Sequence, residues 1–356
     1  MVHFKNKSIL LISPEPWAAH HVSKHHYAKT LAKENQVFFL NPFSSKKKIS
    51  KINDTLKIVD WNFSLKGIRF FPPFLQAITY KKEINKIEKF CGTSFDVIWN
   101  FDPSRFFNLT KVQAYSICHI VDFNQGFQRN TLATTSDITF VTSNFLHTEL
   151  RKYNQKTFKI HHGYQLVENS KNFSLPKTKL AVKVAMIGNL TRKCIDWKSI
   201  VDIITANTDV QFYFIGAYNQ DIFQKINYSN VYWLGKVDAS YLPTILDHID
   251  ISLCAYKIET EEDIVQHANL HKHMEYLASG KVLVSSYVDE YKNKAQLLEM
   301  VMPNEDIVER FAQIVSKLEI YNSEEKQRAR KKFALAHSYK KQLEKINQLI
   351  ETITIY

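Results

Sequence analysis

Three segments in the second half of the chain share one pattern: residues 182–188 (VKVAMIG), 210–216 (VQFYFIG) and 230–235 (NVYWLG). Each is a short, largely apolar run closed by a glycine, too short for a helix and suited to a buried strand. Around them, residues 199–204, 242–248 and 271–278 carry apolar side chains at helical spacing, while 249–254 and 282–286 read as further strands. Strand and helix in alternation predict a parallel sheet covered by helices. The first half repeats the scheme. Strands are expected at 9–12, 37–40, 97–99, 115–121 and 138–142, with helices over 24–33, 80–90 and 143–153. The polar, lysine-rich stretch 167–179, with Pro176, reads as the connection between two α/β domains, 1–172 and 173–338. From Asn304 onward the pattern is helical, and residues 339–356 form a last helical segment.

The chain holds only eight glycines in 356 residues, so their placement is informative. Gly188, Gly216 and Gly235 each follow a strand candidate. At the carboxyl edge of a doubly wound sheet, glycine lets backbone N–H groups approach a phosphate. Turn and cap geometry gives the same residue a second explanation. Neither G-x-G-x-x-G nor G-x-x-x-x-G-K-[ST] occurs, which argues against a standard dinucleotide fingerprint or a P-loop.

Composition narrows the class further. With 45% apolar and 23% charged residues the chain is an ordinary globular protein, neither disordered nor collagenous nor a disulfide scaffold. Its 47 Lys and Arg exceed its 35 Asp and Glu by 12. Residues 1–172 hold 24 basic and 12 acidic side chains, and the remainder holds 23 of each, so the first half carries the whole excess. The four cysteines match no metal or disulfide spacing, which fits a reducing cytoplasm. No apolar run approaches 18 residues, and 8–13 is too short for a signal core. A cytoplasmic protein is expected, peripheral at most on the inner face of the cell membrane.

Residues 184–197 (VAMIGNLTRKCIDW), 230–257 (NVYWLGKVDASYLPTILDHIDISLCAYK) and 269–286 (NLHKHMEYLASGKVLVSS) occur in an order that resembles the donor domain of GT-B glycosyltransferases of retaining family 4. Residues 13–42 resemble the opening strand, loop and helix of that fold's acceptor domain. Residues 137–146 (DITFVTSNFL) and 161–164 (HHGY) resemble its closing segments. Over nearly its full length the chain is similar to bacterial teichuronic-acid and exopolysaccharide enzymes. The resemblance implies two Rossmann-like parallel-sheet domains, the first for the acceptor and the second for a UDP- or GDP-sugar, with a C-terminal helix returning to the first domain. It also implies an enzyme that needs no metal and no cofactor beyond its donor substrate.

A helix beginning near Asn269, Leu270 and Lys272 at the carboxyl edge of the second sheet offers its N-terminus and the Lys272 cation to a diphosphate. Glu275 on that helix is placed to accept two hydrogen bonds from a ribose diol, and it matches the second glutamate of the family's Glu-x7-Glu pattern. His267 stands where the family usually has the first, which reaches the donor sugar. Around Gly188 the family's arginine is replaced by Asn189, followed by Arg192 and Lys193. Either cation suits a leaving diphosphate, and Lys193 matches the family's lysine.

In the first half, four histidines fall within seven residues: His20, His21, His25 and His26. His21 and His25 have the spacing of helix-borne metal ligands, but no third and fourth ligand follows, so contacts from His20 or His21 to sugar or phosphate, or plain surface histidines, are the readings kept. The segment Cys118-His119-Ile120-Val121-Asp122 ends a strand at the same edge. It resembles the family position that points a His or Asp at the reacting sugar, with Asp122 first and His119 second; a helix N-cap is the structural alternative for Asp122. Lys46, Lys47, Lys48, Lys51, Lys57, Lys66, Arg69, Lys81 and Lys82 bracket the aromatic stretch 70–75 (FFPPFL), a combination suited to an anionic bilayer. No helix-turn-helix, RRM, KH or OB signature supports nucleic acid as partner. The expected partners are a nucleotide sugar and a glycan or lipid-linked acceptor. The readings held against this transferase are a non-catalytic glycan or nucleic-acid binder and a GT-B nucleotide-sugar epimerase.

Overall fold

The computed structural model describes residues 4–123, 128–167, 169–267, 269–302 and 305–355. Contacts divide the chain into two compact units, Met1–His162 with Tyr339–Tyr356, and Gly163–Ser338.

The first unit is built on strands β1 (Ser8–Ile12), β2 (Gln36–Leu40), β3 (Lys48–Lys51), β4 (Leu56–Asp60), β5 (Val97–Asn100), β6 (Tyr115–Ile120), β7 (Ile138–Val141) and β8 (Thr157–Lys159). They form one sheet in the order β3-β4-β2-β1-β5-β6-β7-β8, parallel except for β3. The order reverses between β1 and β5, so the loops after these strands flank a switch point. Helices α1 (Ser23–Leu31), α2 (Pro73–Cys91), α3 (Arg129–Thr135) and α4 (Asn144–Arg151) cover it. Alternate residues of β1 serve opposite faces. Ile9 and Leu11 join Tyr27 and Leu31 of α1, whereas Leu10 and Ile12 join Tyr80 and Ile84 of α2 and Leu146 of α4. Both faces are therefore dry, which is why the strands read as unbroken apolar runs.

The second unit contains β9 (Val182–Ile187), β10 (Val210–Ile215), β11 (Val231–Gly235), β12 (Ile251–Cys254), β13 (Val282–Ser285) and β14 (Glu299–Met300). Its sheet is parallel throughout, in the order β11-β10-β9-β12-β13-β14. The switch point lies between β9 and β12. Helices α5 (Trp197–Ala206), α6 (Gln220–Lys225), α7 (Leu242–Asp247), α8 (Glu261–Gln266), α9 (His271–Ser279), α10 (Ile307–Ser316), α11 (Leu318–Tyr321) and α12 (Glu324–Ala336) complete it. The last helix, α13 (Tyr339–Ile355), packs in the first unit. Its Tyr339, Leu343, Ile346 and Ile350 join the cluster around Tyr27, and Asn347 Oδ1 accepts the Phe4 N–H at 3.2 Å.

Several boundaries differ from those the sequence predicts. Residues 163–172 go with the second unit, where Lys171 N–H donates to the Ser240 carbonyl and Tyr164 N–H to that of His337. Helix α2 begins seven residues before residue 80, because Pro73 at its first position needs no N–H partner there. The hairpin β3–β4 and the short β8 lack a long apolar run and escape the pattern. Among the described residues, no helix is long and apolar enough to cross a membrane.

Candidate functional site

The loops at the second switch point are stapled to each other. Asp196 N–H donates to the Ala255 carbonyl and Lys257 N–H to that of Cys194, joining the chain after β9 to the chain after β12. Helix α9 is held above the end of β9 by Tyr276, whose hydroxyl accepts the Ile187 N–H at 2.7 Å and lies 3.3 Å from the Ile187 carbonyl. That register sets the first turn of α9 over Gly188. A Cβ at Gly188, where φ is +139°, would overlap the Lys272 ammonium. Glycine here keeps a place for a cation. Gly216 has a different reason: a Cβ there would collide with the Gly188 carbonyl, so its absence lets two strand ends pack closely.

Lys272 Nζ donates to the Tyr256 hydroxyl at 2.8 Å. Burial pushes its ammonium down from the usual lysine range, and the charge of Arg192 adds to this. Leu270 is the N-cap of α9, and its side chain makes no cap hydrogen bond. Asn269 is buried beside it. Arg192 is exposed, and its charge is felt at Lys272, Tyr256 and His267. Lys193 is exposed too, but it is Arg192 whose field reaches the group. The exposed Asn189 closes a turn, its Oδ1 accepting the N–H and hydroxyl of Thr191 at 3.1 and 2.7 Å.

His267 ends α8. Its ring stacks on Tyr256 with centroids 4.9 Å apart, and its Nδ1 lies 2.8 Å from the Asp263 carbonyl. Burial lowers its pKa, so the ring is neutral near pH 7. Glu275 is half-buried one turn beyond Lys272, with Oε1 3.9 Å from His271 Nδ1. Its charge works against the lowering at Lys272 and adds to the burial that raises Tyr164. The structure thus gathers Gly188, Arg192, His267, Asn269, Leu270, Lys272 and Glu275 around one helix start. It adds Tyr256 and Tyr276, which sequence reasoning missed because an aromatic in an apolar run gives no sign that its hydroxyl is used.

The first unit treats its candidates differently. His119 is fully buried on β6, stacked at 4.6 Å on Phe101, with Nδ1 accepting from Trp99 Nε1 at 3.3 Å. Burial drops its pKa to about 3. It is a core ring rather than a group open to substrate, a correction to its expected catalytic place. His25 is buried as well, its Nδ1 accepting the Val22 N–H at 3.1 Å and its pKa lowered to about 4. His21 stacks on His25 at 4.7 Å. His20 is exposed on the loop after β1, and Asp122 is exposed just beyond β6. Both lie at the carboxyl end of the sheet. Among the described residues no group of three His, Cys, Asp or Glu is arranged to hold a metal ion.

No protein-family profile matches the sequence, and no curated protein matches it. Solved structures do. A sucrose-phosphate synthase from Thermosynechococcus elongatus superposes with a TM-score of 0.69 at 10% identity, over 98% of this chain and all of the other. A glycosyltransferase from Rickettsia africae gives 0.69 at 15% identity, over 98% and 99%. The fold is that of the GT-B glycosyltransferases. The HepE protein of Anabaena, solved with UDP and glucose, shares this GT-B architecture with a TM-score of 0.64 at 12% identity, over 98% of this chain and 100% of that one.

Proposed function

We propose that the chain is a glycosyltransferase that moves a sugar from a nucleotide-diphosphate donor to a polysaccharide or lipid-linked oligosaccharide in the synthesis of a bacterial surface glycan. The observation that carries this reading is the Lys272 ammonium seated over Gly188 in the first turn of α9. A lysine lowered by burial and ending on a neutral phenol gains most from an anion. Solved GT-B neighbours with UDP-glucose-type ligands support a nucleotide sugar as that anion.

In this reading Lys272, Arg192 and the α9 N–H groups hold the diphosphate, and they offset the charge that develops as the glycosidic bond breaks. Glu275 binds the ribose diol. His267, neutral and stacked on Tyr256, faces the donor sugar as a hydrogen-bonding group without charge. The acceptor hydroxyl attacks from the face the diphosphate leaves, passing its proton to the departing oxygen, so the configuration is retained and no protein nucleophile is required. These cations take the place of a divalent metal. Asp122 and His20 bind the acceptor in a first domain set against a cytoplasmic membrane face.

The test is nucleotide release from a panel of UDP- and GDP-sugars in EDTA, with and without lipid-linked acceptor. Turnover that needs acceptor is expected. Sugar interconversion without acceptor would make the chain an epimerase, and thermal stabilisation by nucleotide without turnover would make it a binding protein. Glu275→Ala is expected to weaken nucleotide binding about tenfold, the size of one charge-assisted diol contact; unchanged affinity refutes its ribose role.

A further inference from the structure

We propose that residues 65–75 form a preorganised wedge that docks the first unit on the surface of an anionic lipid bilayer. Phe70 is 77% exposed and Phe74 60%, with Phe71, Leu65 and Leu75 each near 38–39%. Five large apolar side chains within eleven residues make a contiguous patch, which a soluble surface rarely leaves uncovered. The patch is built rather than slack. Gly67 turns the chain at φ +79°, a short helical turn spans Ile68–Phe70, and Pro73 opens α2. The buried amide of Gln76 donates to the carbonyls of Ile68, Arg69 and Phe71 at 3.3, 3.3 and 2.9 Å, and Asn108 Nδ2 donates to that of Pro73 at 3.0 Å. Four carbonyls are thus tied down in the segment that bears the exposed side chains, so inserting these costs little ordering entropy.

The surrounding charge selects the occupant. The register of β3 on β4 pairs Lys48 with Asp60, which brings Lys46, Lys47 and Lys48 to the rim from which the wedge rises, and Lys47 Nζ lies 3.9 Å from the Trp61 ring centroid. Lys66 and Arg69 lie within the wedge, Arg69 4.7 Å over Phe70. Lys81 and Lys82 follow Phe74 by seven and eight residues on α2, about 10–12 Å along a helix rising 1.5 Å per residue. Interfacial apolar groups sink about 5–10 Å, which leaves these two ammonium groups at the depth of lipid phosphates. The nearby acids are already engaged: Asp60 by Asn41, and Glu83 by Trp61 and Lys86. Lys51 and Lys57 pair at the far end of the hairpin and play no part. Because β4 runs parallel to β1, β2 and, across the sheet, β6, the wedge stands on the same rim as Asp122. The inference does not depend on the transferase reading.

The test is co-sedimentation of the full chain with vesicles of equal parts phosphatidylglycerol and phosphatidylcholine, and with phosphatidylcholine alone. Binding is expected to the first and far less to the second. Phe70→Ser with Phe74→Ser should weaken it at least about tenfold, and Lys81→Gln with Lys82→Gln, or neutralising Lys46, Lys47 and Lys48, by roughly tenfold or more at low salt. Lys156→Gln, beside β8 at the opposite sheet edge, should leave it unchanged. All variants should keep the parental melting temperature and nucleotide response, which report on folding and on the other unit. Equal vesicle binding by the Phe70/Phe74 variant overturns the proposal. So does self-association that this variant abolishes, which would assign the wedge to a second copy, or binding to RNA or acidic polysaccharide in preference to vesicles.

Discussion

Two lysines occupy equivalent places in the two units. Lys24 is the second residue of α1, the helix after switch strand β1, and Lys272 is the second residue of α9, the helix that overhangs switch strand β9. Both are buried. Lys24 has its own counter-ion, Glu15 Oε2 at 2.5 Å, whereas Lys272 hydrogen-bonds the Tyr256 phenol and feels the Glu275 carboxylate only through its field. Position on the fold therefore does not decide the role of a buried cation; the presence of an internal carboxylate does. A neutralised lysine holds a loop, and one left on a neutral partner is available to an external anion.

Exchanging the roles is the strongest way to break this comparison. Lys272→Met should cost about 100- to 1000-fold in kcat/KM and abolish stabilisation by nucleotide, with little change in melting temperature. Lys24→Met should do the opposite, costing about 1–3 kcal/mol of stability while leaving the nucleotide response intact, since Glu15 is partly solvated once released. Denaturant unfolding and nucleotide-induced thermal shifts separate the two. If both variants lose nucleotide binding equally, the distinction fails. A smaller effect follows from the tether of α9. Tyr276→Phe leaves the buried Ile187 N–H without its acceptor, at about 1–3 kcal/mol, and should loosen nucleotide binding as Lys272 drifts from Gly188.

A last comparison concerns a feature the units share, a buried histidine in each core. His119 and His273 have pKa values lowered by burial from 6.5 to about 3. The unfolded chain takes up a proton below pH 6.5 that the native state refuses, so the stability present above that pH is lost as pH falls towards 3. Each histidine contributes about 1.4 kcal/mol per pH unit across that window. His119→Phe should flatten the acid limb of a stability profile by that slope; an unchanged slope would show that the ring is protonated in place.

The central strands of both sheets could be read because they are dry on both faces and end in glycine or a polar loop. The hairpin β3–β4 could not, because KISK and LKIVD alternate lysine with apolar residues at a sheet edge, where charge guards against pairing with another chain. On α9, Lys272 and Glu275 were visible as a cation and an acid at a helix start. Tyr256, which links Lys272 to His267, was not, since that link joins the end of β12 to the two helices that follow it and exists only in the folded chain. His119 shows the converse: a polar residue closing an apolar run gave no sign of the Trp99, Phe101 and Tyr27 rings that enclose it.

The seventeen-residue α13 has a temporal consequence. The second unit is one continuous segment and can fold as soon as it leaves the ribosome, but the first waits for a helix translated after the whole of the second. Until then the face carrying Tyr27, Leu31 and Trp99 lacks the cover supplied by Tyr339 and Ile346. The domain made first is completed last, and a nascent chain stalled before residue 339 displays a sticky aromatic surface that a holding chaperone would recognise.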